Sequence, residues 1–174
     1  MSLIVEDGSI VTDAESYVSV TDADVYLAKY GKDAVWSTKT VEQKEVLLRS
    51  SRLYMDTKYN WKGSQATQGH TTNWPRSEVY IEGTLLGSEF IPVDISNANA
   101  TLAAESASSE LYRNVDNGTT GQRIASTSDA VGPLSSSIAY FDSPTNTGTQ
   151  IEFTEVNLVL APYVNGGTRK LERS

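Results

Sequence analysis

From Val41 to Tyr59 the polar and apolar positions separate when wound at 100° per residue. Glu45, Arg49, Arg52 and Asp56 fall on one narrow strip, and Val41, Val46, Leu47, Leu48, Leu53, Tyr54 and Met55 occupy most of the remaining circumference. The pattern predicts a long helix, opened by Thr40 as N-cap with Gln43 at the capping-box position, and central enough to have neighbours on more than one side. Glu45 with Arg49 and Arg52 with Asp56 are i,i+4 pairs, so the strip reads as a solvated, internally paired face rather than a ligand site. A shorter helix is expected from Asp22 to Tyr30, with Thr21 and Asp24 as its capping box and Gly31 as its stop. Ahead of it, residues 9–11 and 17–20 read as extended pieces.

Beyond Tyr59 the periodicity fades. Residues 60–92 read as a long loop with hairpin-like pieces, and Pro92 opens a third helix running from Val93 to Asn114. Its apolar positions are mostly alanine (Ala98, Ala100, Ala103, Ala104, Ala107), which lets another helix approach closely. Between Asn114 and Gln150, 21 of 37 residues are Ser, Thr, Gly, Pro or Asn, a composition of turns and exposed strands. Within it, residues 122–126 and 137–141 flank Gly132-Pro133 and read as a protruding hairpin. A last helix is expected from Glu155 to Leu160 behind Thr154 as N-cap, stopping at Ala161-Pro162, after which Gly166-Gly167 releases a tail expected to be flexible. The fold class is mainly α: a small bundle of three to four helices, with an inserted β-hairpin and long loops. One domain over residues 1–164 would carry the insertion at about 114–150, followed by a tail at 165–174.

Composition narrows the chemistry. The chain has 174 residues with 14 Lys plus Arg against 22 Asp plus Glu, a formal net charge of −8, and no cysteine. Disulfide frameworks, thiolate metal sites and Cys nucleophiles are excluded. Residues 1–24 carry six acids and no base, whereas Lys29 to Lys62 carry eight bases against four acids. Acids dominate again after Arg76, until Arg169, Lys170 and Arg173 turn the last residues basic. Such a balance argues against a duplex binder of the usual basic kind. No run approaches the roughly 20 apolar residues of a membrane span, and Met1-Ser2-Leu3 leads into acids rather than a basic leader, so synthesis in the cytoplasm without a membrane partner is expected.

No catalytic constellation stands out. His70 is the only histidine and sits in a polar run, Gln68-Gly69-His70-Thr71, which reads as loop. Nucleotide-binding glycine motifs and clustered metal-ligating carboxylates are missing from the sequence, so no enzyme, cofactor or metal is expected. Trp61 and Trp74, with Lys62, Arg76 and Tyr80 nearby, have the composition of a stacking platform for single strands. Burial is the larger energetic term for an indole, so Trp61, Trp74, Pro75 and Arg76 read instead as anchors that pin the long loop to the helices.

The linear order is more specific than any one piece. Ala23-Asp24-Val25-Tyr26 precedes Trp36; a Leu-rich helix ends in Tyr59, Trp61 and Gly63; Gln65 or Gln68, Trp74-Pro75-Arg76 and Ile91-Pro92 follow; Leu160-Ala161-Pro162-Tyr163 comes last. Together these resemble the head–tail connector proteins of tailed bacteriophages. These are head completion adaptors, many of which carry the label of DnaT-like single-stranded DNA-binding proteins. The resemblance covers residues 15–115 best.

It implies a structural virion protein of the neck, at the head–tail junction. A dodecameric ring would bind the portal protein on one side and a tail-side neck protein (stopper, terminator or tail hub) on the other. Genomic DNA would pass through its channel without sequence-specific binding. The C-terminal segment would reach the portal through Val164, Arg169, Lys170, Leu171 and Arg173. The alternative is a DnaT-like single-stranded DNA-binding replication module, which needs a continuous basic groove with stacking aromatics; the acidic composition favours the adaptor.

Overall fold

Thr40 opens helix α2 (Val41–Lys58) with both halves of a capping box: its hydroxyl accepts from the Gln43 amide at 3.3 Å, and the Gln43 side chain accepts from the Thr40 amide at 3.0 Å. The helix buries Lys44, Leu48, Ser51, Tyr54 and Met55 and leaves Val41, Val46 and Leu53 exposed. Its second covered face is therefore the charged strip rather than the apolar remainder. Arg49 reaches the Glu15 carboxylate at 2.9 Å, and Arg52 reaches the Glu15 carbonyl at 3.3 Å, the Thr71 carbonyl at 3.1 Å and Asp56 at 3.2 Å. Long-range acceptors turn what the sequence presents as a solvated strip into the seat of the N-terminal segment and of the loop around Thr71. The structure, a computed structural model, describes residues 2–112, 124–130, 135–140 and 152–166.

Helix α1 (Val20–Lys29) begins two residues earlier than its pattern suggests, because Ser19 is the N-cap and accepts from the Asp22 amide at 3.0 Å. Asp24 is then free of capping duty. It takes the Trp36 indole N–H at 2.5 Å and the Lys44 ammonium at 2.8 Å, tying α1 to the 3-10 turn Trp36–Thr38 and to α2. Helix α3 (Val93–Ser106) stops well short of Asn114, where Ser108 and Ser109 turn their hydroxyls back onto the Glu105 carbonyl. Its alanines let it pack against α1 and α2 around a core of Val18, Ala23, Leu27, Trp36, Leu48, Ala100 and Ala103. Helix α4 (Thr154–Leu160) has Phe153, not Thr154, at the N-cap position without a side-chain cap; Phe153 instead packs edge-on against Tyr54, ring centroids 5.8 Å apart.

Asn99 sits fully buried in α3 and joins three elements. Its oxygen accepts from the Ser16 hydroxyl at 2.9 Å and the Tyr17 amide at 3.0 Å, while its amide donates to the Leu48 carbonyl at 3.2 Å and to Ser51.

The long loop folds into two short antiparallel pairs: β1 (Ser64–Gln65) with β2 (Arg76–Ser77), and β3 (Tyr80–Ile81) with β4 (Thr84–Leu85). Gly63 turns into β1 at φ +66, where a Cβ would lie 2.1 Å from the Ser77 carbonyl oxygen. Glu82-Gly83 closes the β3–β4 hairpin with positive φ at both residues, the signature of a two-residue type I′ turn. A separate compact unit, Tyr112–Ile151, contains β5 (Ile124–Ala130) paired antiparallel with β6 (Ser135–Tyr140), both longer than expected. The supposed tail begins as structure: Val164 bridges Trp61, and the Asn165 amide donates to the Asn60 carbonyl at 2.7 Å. Arg169, Lys170, Leu171 and Arg173 lie outside the described residues. None of the described helices is long and apolar enough to cross a membrane.

Replacing Asn99 with Ala leaves the Tyr17 amide and the Leu48 carbonyl with one partner fewer in a dry interior. A stability loss of about 1–3 kcal/mol is expected in urea unfolding, the cost of an unsatisfied buried group; an unchanged midpoint would show that the hub contributes nothing.

Candidate nucleic-acid interface

The tryptophans, read from sequence as loop anchors rather than as a stacking platform, are interior. Trp74 is 0% exposed and meets Trp61 and Tyr163 edge-on, each at a centroid distance of 5.9 Å, and Trp61 in turn packs against Tyr59 at 5.5 Å. Both indole N–H groups lack an acceptor among the described residues, so ring packing holds the cluster. Pro75, joined to Trp74 by a cis peptide bond, is buried too. Arg76 spends its guanidinium on carbonyl oxygens of Lys62 (2.6 Å), Gly63 (2.7 Å) and Asn73 (3.1 Å). The four residues come together at the base of the loop and present no face on which a base could stack.

Most of the early basic region is likewise committed. Lys32 pairs with Glu155, Lys44 with Asp24, Arg49 with Glu15 and Glu45, and Arg52 with Asp56. Lys58 donates to the Tyr54 hydroxyl at 2.6 Å, and its burial pulls its pKa down from the usual lysine range. Among the described residues, Lys29, Lys39 and Lys62 have no carboxylate partner. A groove of about 400 Å³ beside Lys39 is lined by Glu42, Gln43, Val46, Leu47, Ser106 and Ala107, and Glu42 there offsets the lysine.

Aromatic surface and uncommitted charge coincide at the end of α1. Tyr30 is 57% exposed, its ring centroid lies 4.9 Å from that of Tyr26, and the Lys29 ammonium stands 5.6 Å from its centre. Lys32 follows after the glycine stop, held only by an exposed carboxylate. The sequence reading missed this edge, although the spacing Tyr26-Lys29-Tyr30-Lys32 was there to find it: i,i+4 aromatics on one face with one lysine between them and another just beyond. Tyr80, equally exposed on the β3–β4 hairpin, stands instead between Glu78 and Glu82, which repel phosphate.

The remaining titratable groups stitch the N-terminal segment to the loop. The Tyr17 hydroxyl donates to Asp56 at 2.7 Å and accepts from the Asn73 and Trp74 amides. Burial pushes the Tyr17 pKa well up, helped by the Asp56 charge, and burial also raises Asp56 despite Tyr17 and Arg52 beside it. His70 faces the Val11 carbonyl at 3.0 Å and Glu6 at 3.3 Å through one ring nitrogen and Thr72 at 2.9 Å through the other. Glu6 in turn accepts from the amides of Gly8, Ile10 and Val11. Among the described residues, no group of three or more His, Asp or Glu side chains could hold a metal ion.

Fold and surface together define a small helical module with an aromatic-and-lysine edge. Residues 1–174 match the model of a family described as "Putative DnaT-like ssDNA binding protein", and the chain belongs to that family. No curated protein and no solved structure matches it. The family match overturns the virion reading: the neck adaptor, its ring around a DNA channel and the vocabulary of portal and head–tail connection rest on a resemblance that the match does not support.

Asp56 gives a pH signature. Its folded pKa lies above the unfolded 3.8, so the stability it contributes is present below that pH and is lost as pH rises through the folded value. Asp56→Asn keeps a neutral acceptor for Tyr17. In paired urea titrations the variant should therefore gain stability relative to the parent as pH rises above 3.8; a pH-independent difference would refute the assignment.

Proposed function

We propose that this protein binds single-stranded DNA along the edge at the end of α1, with Tyr30 as the stacking face and Lys29 and Lys32 as phosphate contacts. The observation that carries the reading is family membership over the whole chain. The α1 edge supports it because an exposed ring beside the unpaired Lys29 ammonium, with Lys32 held by an exposed carboxylate nearby, is the minimal chemistry for a strand bound without sequence preference: every base has a face to stack, and every nucleotide a phosphate. Lys32 can exchange its exposed partner Glu155 for a phosphate at little cost, since surface pairs contribute less than about 1 kcal/mol.

Among the described residues few cations are free, so this edge binds modestly and with a salt dependence shallow for a nucleic-acid binder. Two to three phosphate contacts at about 0.7 per contact give a log–log slope of roughly −1.5 to −2. Fluorescence anisotropy with a labelled oligothymidylate should show this slope, and Tyr30→Ala should weaken binding by the roughly 1–3 kcal/mol that one base–aromatic stack provides. Absence of binding even at about 50 mM salt would sink the function. Binding that survives both Tyr30→Ala and Lys29→Ala would leave the function standing but move the site.

A further inference from the structure

Residues 77–112 contain Glu78, Glu82, Glu89, Asp94, Glu105 and Glu110 and no Lys or Arg. The first three flank the β3–β4 hairpin and the turn that follows it, where apolar side chains face solvent: Tyr80 is 57%, Leu85 54% and Phe90 50% exposed. Tyr80 and Leu85 are opposite each other in the hairpin and share one face. Glu78, Glu82 and Glu89 have no ion-pair partner among the described residues. Glu78 and Glu82 also hold φ of +60° and +49°, a conformation that Gly or Asn adopts at lower cost. The negative charge is thus kept at turn positions where backbone energetics alone would select another residue.

We infer that this hairpin is a docking surface for a short cationic segment, and that its occupant is the chain's own Thr168–Ser174. Charge complementarity selects the segment. Arg169, Lys170 and Arg173 against Glu172 make it the one basic cluster after Arg76, and Leu171 gives it an apolar side chain to set against Tyr80 and Leu85. Its point of departure is also suitable. Val164 and Asn165 are bonded to Asn60 and Trp61, and the next residues along that strand, Lys62 and Gly63, lie against Arg76, Ser77 and Val79 at the root of the hairpin. From Gly166 the eight residues 167–174 extend up to roughly 26 Å, ample for a hairpin of this size. The contact itself does not depend on nucleic-acid binding. Its consequence, that bases held by the hairpin are withheld from DNA phosphates, rests on the function proposed above.

The full chain lacks cysteine, so Ser174→Cys accepts a single nitroxide label. Paramagnetic broadening should remove amide NMR signals at residues 79–90 of the same molecule. The signals should return at about 1 M salt, where screening acts within about 3 Å, and in the Glu78→Gln/Glu82→Gln/Glu89→Gln variant. Three results would each overturn the inference: no broadening at the hairpin; broadening there only when labelled and isotope-enriched molecules are mixed, which makes a second copy the occupant; or broadening that survives both salt and the triple substitution. No DNA enters the measurement, so failure of the proposed function leaves it unaffected.

Discussion

One buried amide, that of Asn99, joins the helical core to the segment that precedes it. Asn99 holds α3 against α2 while receiving the backbone of Tyr17, and the Tyr17 hydroxyl then ties the loop, through the Asn73 and Trp74 amides, to Asp56 of α2. Each bond is worth little net, but each group would be costly unpaired in that interior. The arrangement therefore fixes the positions of the surrounding elements more than it adds stability. Through Tyr17 it reaches the base of the loop, where Trp74 belongs to the aromatic cluster.

The same economy governs charge. The basic region from Lys29 to Lys62 looks in sequence like a reserve for anionic ligands, yet the folded chain commits most of it to joining elements far apart in sequence. Among the described residues, what remains without a carboxylate partner is Lys29, Lys39, Lys58, Lys62 and Arg76, and of these Lys29 stands beside an exposed ring. With a net charge of −8, any polyanion binding of the kind proposed would have to draw on an aromatic face for a charge-independent contribution.

Much of this was legible in the chain. The α2 capping box, the Gly31 stop and the Pro92 helix start follow from local chemistry, and local chemistry decided them. Misreadings occurred where a distant residue competed. Thr21 and Asp24 form a plausible cap until Trp36 and Lys44 claim the carboxylate, and the Glu45–Asp56 strip looks solvated until Glu15 and the Thr71 carbonyl arrive. The tryptophans read as anchors from the energetics of indole burial, but spacing could not say which rings meet, here Trp61, Trp74 and Tyr163. The Tyr26–Tyr30 edge was visible as a spacing but went unread, since helix-borne tyrosines are usually assigned to the core.

The bridge from Trp61 to Val164 also constrains how the protein is made. Tyr59 bonds to Asn157, Tyr163 to Asp94, and Lys62 to the Tyr163 carbonyl, so the aromatic cluster is sealed by residues that leave the ribosome long after the loop they cover. At a synthesis rate of about 5–20 residues per second, the nascent loop spends several seconds with its indoles uncovered. In that interval the first core, assembled from residues before Ser106, is all that can hold the chain together.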